Sequence, residues 1–508
     1  MHWHKKCRKA DISIIEVSPG QLIPCCMSCG ESAAPESHTV ARPPANGWNI
    51  PHEPHPRNRN LYWPDSVEYI DENPPDVGDA FIESPKPAPE QQVKELNSLD
   101  RAGENQKHFI FDKMAGRQIR LLELSKGGTG DLLHVQLTIQ PFRIGLDYEA
   151  LSYTWATDTG ERDATHTVYH GDSWDILKVT ENCANALRRL RYQDETRILW
   201  VDAICINQED VAERSHQVNM MTEIYACARQ VLVYLGDQEP TGDHYEQILT
   251  LCKRPYFSRI WVVQELAFAA AKRVICGSKS WSWDDFYSVA QGFSWLEHVN
   301  RRKFREASEL FRLISGTRLC DSSDKRDRIF ALLGLVTGSR GLGLIPDYTL
   351  CLSHVMIGTA ACILTGHYDT EARALLMDAA HKNIEGGPSW VPDWISNELK
   401  RLTGHSVFSE THDTHCDKPI LQNRISSGDP IRCGQLVFYK KTGILKTRGF
   451  CVAAGSSLDT MTASSESPFS FYGKLLLCAE IQGFDATHPS VGAKNLCRWS
   501  LEWTLYHP

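Results

Sequence analysis

A carboxylate that shares a helix face with an aromatic ring is the first candidate for chemistry. Trp261 and Glu265 are four residues apart in the segment YFSRIWVVQELAFA, which places them on one face of a helix. A carboxylate beside an aromatic wall can have a raised pKa or can stabilise a developing cation. In the structural alternative, which the residues by themselves favour, Glu265 pairs with Arg259 or a backbone N–H and Trp261 packs in the core.

Polar side chains follow the apolar stretch 199–204, which is typical of a buried strand. Asp202, Asn207 and Gln208 lie towards its C-terminal end, where open α/β sheets usually place their ligands. These groups could bind a ribose or orient a water molecule. They could equally cap the next helix and close the turn, which is the favoured role for Asn207.

Two aromatic residues and one cation complete the candidate binding residues. Tyr153 and Trp155 end another predicted strand and could stack on a base, although such aromatic residues more often belong to the core. Arg259 lies near the N-terminus of the helix that carries Glu265 and could contact a phosphate there. A surface ion pair is its more common role.

Cysteines form one weak metal motif. Cys26 and Cys29 have the CxxC spacing that makes up half of many zinc sites, but no second CxxC or HxxxH accompanies them, so an unfolded tail with free thiols is favoured. The 17 cysteines of the chain are odd in number and scattered, mostly in apolar segments. That usage is expected of reduced thiols in a cytoplasmic protein.

The candidate residues are positioned by a predicted parallel sheet. Residues 199–204 and 230–235 are short apolar runs, and the stretch between them has helical spacing. This strand, helix and strand form a βαβ unit, which implies parallel strands. Further elements are predicted upstream and downstream: strands at 117–125, 134–142 and 148–156, a helix at 179–192 with Thr180 as N-cap, and a helix at 259–271 with Ser258 as N-cap.

This arrangement predicts where Glu265 lies. It is about two turns into its helix, beyond the reach of the helix dipole. A charged carboxylate among apolar neighbours therefore needs solvent, a hydrogen-bonding partner or a ligand. We expect Glu265 to face the C-terminal edge of the sheet, near the ends of strands 148–155 and 199–204, in a partly open cleft.

Composition excludes several classes of function. The net charge of −9 argues against a general nucleic-acid binder. No apolar run reaches the roughly 18 residues of a membrane span, and the N-terminus lacks the apolar core of a secretory signal. No Gly-rich dinucleotide or P-loop motif lies between a strand and a helix, and no GxSxG elbow is present.

Four segments together resemble the fungal heterokaryon-incompatibility (HET) domain family. They are YEALSYTWA (148–156), the stretch 199–236, YFSRIWVVQELAFA (256–269) and DKRDRIFALLGL (324–335). The order and length of these motifs carry the resemblance. Two departures stand out: Ala156 occupies a position that is usually Gly in the family, and the region after residue 450 is shorter than in many members.

The resemblance implies a role in programmed cell death after fusion of genetically unlike fungal cells. The family is also considered remotely similar to Toll/interleukin receptor (TIR) domains, some of which cleave NAD with a glutamate in a W-C-x-x-E-L pattern. Trp261, Glu265 and Leu266 match that pattern, whereas Val262 replaces the Cys. By this resemblance Glu265 is the catalytic candidate, Tyr153, Trp155, Asp202, Trp261 and Arg259 are binding candidates, and NAD is a possible substrate.

The expected fold is a TIR-like, flavodoxin-like α/β core with a parallel sheet. The expected organisation is a largely disordered tail at 1–105, a HET domain at 117–290 with its core at 148–290, a helical extension at 291–395 and an irregular, small mixed region at 396–508. The alternative to NAD cleavage is a non-enzymatic module that signals by assembly, for which protein partners or self-association are expected.

Overall fold

A nine-stranded mixed sheet forms the centre of the described part of the chain. The computed structural model describes residues 7, 10–33, 50–72, 111–290 except 129, 158 and 159, 309–336 and 343–366, together with parts of 291–299, 372–395, 436–452 and 476–478. The strands are β1 Ile12–Ser18, β2 Gln21–Cys26, β3 Tyr69–Ile70, β4 Gln118–Leu124, β5 His134–Pro141, β6 Glu149–Tyr153, β7 His166–His170, β8 Asp175–Val179, β9 Arg197–Trp200, β10 Val231–Tyr234, β11 Lys272–Cys276, β12 Lys279–Ser282, β13 Val437–Tyr439, β14 Leu445–Lys446, β15 Phe450–Val452 and β16 Leu476–Cys478.

Helices cover the sheet and continue beyond it. They are α1 Glu181–Leu190, α2 Asp202–Cys205, α3 Val211–Cys227, α4 His244–Cys252, α5 Ile260–Ala267, α6 Trp283–Ala290, α7 Glu309–Gly316, α8 Asp327–Leu333 and α9 Leu352–Thr365, with a 3-10 turn at Pro255–Ser258. Among the described residues, no helix has the length and apolarity required to cross a membrane. Together, the sheet and these helices give the described part of the chain a mixed α/β fold.

The centre of the sheet is parallel. The strands lie in the order β12-β11-β10-β6-β9-β4-β5-β7-β8, and β11, β10, β6 and β9 run in one direction. Every residue of β6 and β10 is buried, as expected of parallel strands covered by helices on both faces. The prediction that the two strands of the βαβ unit share a parallel sheet is confirmed, with β6 lying between them.

The strand predicted at 199–204 is wrong at its C-terminal half. β9 ends at Trp200, and Asp202 begins the short helix α2. The Asp202 side chain accepts a hydrogen bond from the Ala203 N–H at 2.7 Å, and the Cys205 N–H donates to the Val201 carbonyl at 2.7 Å. A local side-chain bond of this kind offers the backbone an alternative to the sheet ladder.

The helix that carries Glu265 also differs from its prediction. It covers Ile260–Ala267 rather than 259–271, and Ser258 is not its N-cap because the Ser258 hydroxyl donates to the Pro255 carbonyl at 2.8 Å. The Ile260 N–H donates to the Asp321 carbonyl at 3.0 Å, and the Asp321 N–H donates to the Ser258 carbonyl at 2.5 Å. These two bonds hold the backbone extended, so the helix begins later.

Two parts of the region predicted as a disordered tail are folded, which corrects that prediction for them. β1 and β2 form an antiparallel hairpin. Residues 50–72 contribute Leu61 and Trp63 to the main core, and β3 pairs with β13. The composition of residues 50–72 is Pro-rich and suggested disorder, but contacts with residues that are distant in sequence hold this segment in place. The rest of 1–105, and residues 396–435 of the predicted irregular region, lie outside the described residues.

Candidate functional site

Glu265 lies beneath the C-terminal end of β6. Its side chain is 2 % exposed, and Glu265 Oε2 accepts a hydrogen bond from the Ser152 hydroxyl. The Tyr256 hydroxyl lies 2.5 Å from Ser152 Oγ and donates to it, because the serine proton is committed to the glutamate. Burial raises the pKa of Glu265, although the charge of Arg259 and the Ser152 bond act in the opposite direction.

Arg259 covers this glutamate from the start of α5. Arg259 Nη2 lies 3.6 Å from Glu265 Oε1, and Nη1 donates to the Tyr153 carbonyl at 2.5 Å. Burial opposes the arginine charge, but the nearby carboxyl groups of Glu265 and Asp202 outweigh it and raise the pKa of Arg259. The guanidinium therefore links the end of β6 to the Glu265 carboxylate.

Asp202 places a second carboxyl group in the same cluster. Asp202 Oδ2 accepts from the Trp155 indole Nε1 at 2.9 Å. Burial raises the pKa of Asp202 to about 6, and the negative charge of Glu265 adds to this shift. Trp155, Asp202 and Arg259 are half-buried, so they form the more accessible side of the cluster while Glu265 lies below them.

We call these residues the carboxyl-edge cluster: Ser152, Tyr153, Trp155, Asp202, Tyr256, Arg259 and Glu265. The structure brings together five of the six residues predicted as catalytic or binding, at the end of the sheet where the sequence placed them. The predicted partly open cleft is wrong for Glu265, because its side chain is 2 % exposed and its carboxylate is in contact with Arg259 and Ser152.

Trp261 is the predicted residue that lies elsewhere. Its indole Nε1 donates to Asp327 Oδ2 at 3.0 Å, and the Tyr348 hydroxyl donates to Asp327 Oδ1 at 2.6 Å. Burial raises the pKa of Asp327 to about 7, with a further contribution from Asp324. Trp261 thus joins α5 to α8 and does not form the aromatic wall expected beside Glu265.

Neither polar residue after Asp202 enters the carboxyl-edge cluster. Gln208 Nε2 donates to the Asp202 carbonyl at 3.0 Å, and the Asn207 side chain accepts from the Glu209 N–H at 3.2 Å. The N-cap of α3 is Asp210, which accepts from two backbone N–H groups. Asn207 and Gln208 therefore close the turn, which was the favoured alternative for Asn207.

Sequence reasoning missed Ser152 and Tyr256. Ser152 is a polar residue within the fully buried strand β6, and a buried hydroxyl of this kind needs a hydrogen-bond partner. The need for a hydrogen-bond partner was the signal in the sequence that could have identified Ser152. Tyr256 offered no signal, because its approach to Ser152 depends on the 3-10 turn that precedes α5.

Comparison with known proteins identifies the domain that contains most of this cluster. The family model described as heterokaryon incompatibility protein (HET) matches residues 148–250. Residues 148–250 are thus similar to the HET domain. Ser152, Tyr153, Trp155 and Asp202 lie within the matched residues, whereas Tyr256, Arg259 and Glu265 follow them.

A curated relative extends the similarity beyond the HET domain. The chain is 26% identical over 463 residues to heterokaryon incompatibility protein 6, OR allele, of Neurospora crassa, an alignment that covers 68% of this chain and 65% of the relative. The chain thus spans slightly less than two thirds of the length of that relative. No solved structure matches the chain.

Proposed function

We propose that the chain acts in self/non-self recognition between fungal cells and that its HET domain passes the signal to a cell-death response. The HET match and the name of the N. crassa relative support this role. An incompatibility protein designated by its allele is expected to distinguish one partner from another. We further propose a cytoplasmic location, in line with the reduced thiols expected from the cysteine pattern.

Assembly, with protein partners or with further copies of the chain, is the mechanism that the geometry supports best. The observation that carries it is the enclosure of Glu265, which is 2 % exposed and bound by Ser152 and Arg259. A catalytic carboxylate has to reach the reacting group. A carboxylate that is already enclosed and partnered instead orients α5 against β6, which is a structural task.

The order of the parallel strands supports a TIR-like core as part of this proposal. The four parallel strands lie side by side in the order β9-β6-β10-β11. If these strands are numbered 1 to 4 along the chain, their spatial order is 2-1-3-4. This is the order of the first four strands in flavodoxin-like sheets. Beyond β9 the sheet continues with the antiparallel strand β4, so the proposed core is extended on one side.

NAD cleavage is the second candidate function, favoured by a separate observation. Asp202 and Glu265 both have raised pKa values and lie beside one arginine at the carboxyl ends of the parallel strands, where α/β sheets bind nucleotides. In this reaction the bond from ribose C1′ to nicotinamide breaks, neutral nicotinamide leaves with the bonding electrons, and water adds at C1′ and loses a proton. A carboxylate would stabilise the cationic ribose, but Arg259 would first have to uncover Glu265.

Expression in a fungal host tests these two mechanisms. Glu265→Gln removes the candidate catalytic charge. Glu149→Gln is a matched control, because Glu149 is also fully buried, lies at the opposite end of β6 and pairs with Arg197 at 2.5 Å. We expect cell death from the wild type and from both variants at equal protein levels, with NAD unchanged.

A different pattern would overturn assembly in favour of cleavage. In that pattern NAD falls with the wild type and with Glu149→Gln, while Glu265→Gln leaves both NAD and viability intact. If none of the three proteins affects viability when strains with unlike alleles fuse, the recognition role itself is contradicted.

A further inference from the structure

Three cysteine thiols converge at the N-terminal hairpin. Cys26 ends β2, Cys29 lies in the turn that follows, and Cys7 precedes β1. The three Sγ atoms all lie within 4.8 Å of one another, and those of Cys7 and Cys26 are 3.7 Å apart. Two thiolates on one zinc ion are separated by about 3.8 Å, because tetrahedral Zn–S bonds are about 2.3 Å long. The thiols are thus already near ligand spacing.

The turn after β2 folds Cys29 back beside Cys26. The Cys26 carbonyl accepts from the N–H of Cys29 at 3.3 Å and from that of Gly30 at 2.7 Å. Gly30 has φ +74, a left-handed conformation that glycine adopts without a steric penalty. The backbone therefore fixes the two thiols of the CxxC motif on one side of the turn.

The hairpin has little apolar core of its own. A small cluster of four buried residues joins it to the β7–β8 hairpin: Cys26, Ala33, Tyr169 and Ile176. The Tyr169 hydroxyl donates to the Ala33 carbonyl at 3.2 Å, while Ile14 and Val17 on β1 are exposed. An isolated two-stranded hairpin is marginally stable, and small units of this kind commonly depend on a metal or another cross-link.

We propose that Cys7, Cys26 and Cys29 bind a zinc ion that holds the N-terminal hairpin together. Thiolates are soft ligands that favour zinc over the harder divalent cations. Cys29 is exposed, which leaves that side of the site open to water or to a further side chain as the fourth ligand. Metal binding would supply the folding free energy that the small core lacks. This site is independent of the function proposed for the HET domain.

Metal analysis of the purified full chain tests the site. Cys29→Ser is the informative variant, because an exposed side chain can be replaced without disturbing the core. Cys25→Ser is the matched control, since Cys25 is the neighbour of Cys26 but its thiol is not a member of the converging group. After expression with added zinc and dialysis, we expect the wild type and Cys25→Ser to retain one zinc ion more per chain than Cys29→Ser.

Cobalt substitution and mass analysis complete the test. Loading with Co²⁺ is expected to give thiolate-to-metal charge-transfer absorption in the wild type and in Cys25→Ser, and to give much weaker absorption in Cys29→Ser. Equal zinc content in the wild type and in Cys29→Ser, with both proteins folded by circular dichroism, would overturn the proposal. So would a Cys26–Cys29 disulfide in protein prepared with zinc under reducing conditions.

Discussion

Arg259 and Glu265 form an ion pair whose two side chains differ in solvent exposure. This difference determines how each charge is stabilised. The arginine side chain is 19% exposed and the glutamate 2%. Water therefore compensates part of the arginine charge, while the glutamate depends on Ser152 and Arg259 for its stabilisation. Breaking a buried pair from one side leaves the other charge unsatisfied, and here the exposed fraction of Arg259 reduces that cost.

Glu265→Gln should lower the free energy of unfolding by about 2 kcal/mol, less than a fully buried pair would lose. The glutamine can still accept the Ser152 hydrogen bond, so the change reflects the lost charge interaction with Arg259, less the cost of burying the carboxylate, which raises the pKa of Glu265. Urea unfolding of the two proteins measures it. Unchanged stability together with lost function would instead mark the residue as catalytic. Unchanged stability with function retained would contradict both roles.

The raised pKa of Asp202 makes the stability of the folded protein depend on pH, and the direction of this dependence can be predicted. Its pKa is raised by burial from 3.8 to about 6, so the folded state holds the proton more tightly than the unfolded chain does. The stability from this proton is fully present below the unfolded pKa and is lost as pH rises through about 6. The upper limit is about 3 kcal/mol, and the partial exposure of Asp202 reduces it.

Asp202→Asn should remove this part of the pH dependence. Melting temperatures of the wild type and the variant, measured between about pH 3.5 and 7.5, are expected to converge at the acidic end. The wild type should become relatively less stable as pH rises. Parallel curves over the whole range would show that Asp202 does not titrate with a raised pKa.

Single residues were predictable where their role follows from local chemistry. Thr180 accepts from the Cys183 N–H as the N-cap of α1, as its position in the sequence indicated. Tyr153, Trp155 and Asp202 meet because the ends of the paired strands β6 and β9 converge. Helix α5 brings Arg259 and Glu265 to the same edge of the sheet. The enclosure of Glu265 was not predictable, since it depends on the backbone pairing near Asp321 that sets where α5 begins.

At the scale of elements, α3, α5 and α8 pack closely at Gly334. A Cβ atom at this position would collide with the Thr222 side chain of α3 and would lie 2.6 Å from Nε2 of Gln264 on α5. The Gln264 amide donates to the Thr222 hydroxyl, so the two neighbours are held in place by each other. The junction needs a residue without a side chain.

Gly334→Ala should therefore lower the free energy of unfolding by about 2 kcal/mol through overpacking. Gly130→Ala is the control, because a Cβ atom there has no neighbour within 4 Å and the backbone angle is not in the left-handed region. Denaturant unfolding compares the two. A loss of equal size in both variants would show that the cost comes from the backbone and not from the helix junction.

Strands with a strong hydrophobic pattern were predicted from the sequence better than strands that form only by pairing with residues distant in the chain. β4, β5 and β6 lie within their predicted segments, because alternation or burial is continuous along them. β12 was missed, since the residues Lys279–Ser282 carry no clear alternation and pair only because the chain returns beside β11. The early end of β9 depends on the local bonds of Asp202.

At the scale of the whole molecule, the part before residue 105 supports the fold at two separate places. The β1–β2 hairpin packs beside Tyr169 and Ile176 at the edge of the sheet. Residues 50–72 contact α9, where the His354 ring nitrogen Nε2 lies 2.6 Å from the Arg59 carbonyl. Composition could not reveal this, because both segments are held by contacts with residues that are distant in sequence.

At the scale of the whole molecule, the proposed mechanism also requires that the HET domain signals without cleaving NAD. The carboxylate suited to cleavage is enclosed by Ser152 and Arg259, and the accessible residues around it are Trp155, Asp202 and Arg259. Under the proposed mechanism, the domain would change its partners on activation and leave the nucleotide pool untouched.

Nicotinamide release by the purified full chain tests this claim most directly. Wild type, Glu265→Gln and Glu149→Gln are incubated with NAD at high protein concentration, at a temperature where all three are folded, and free nicotinamide is quantified by chromatography. We predict that the wild type releases no more nicotinamide than Glu265→Gln does. Release by the wild type and by Glu149→Gln that is abolished in Glu265→Gln would contradict the account and assign the carboxyl-edge cluster to catalysis.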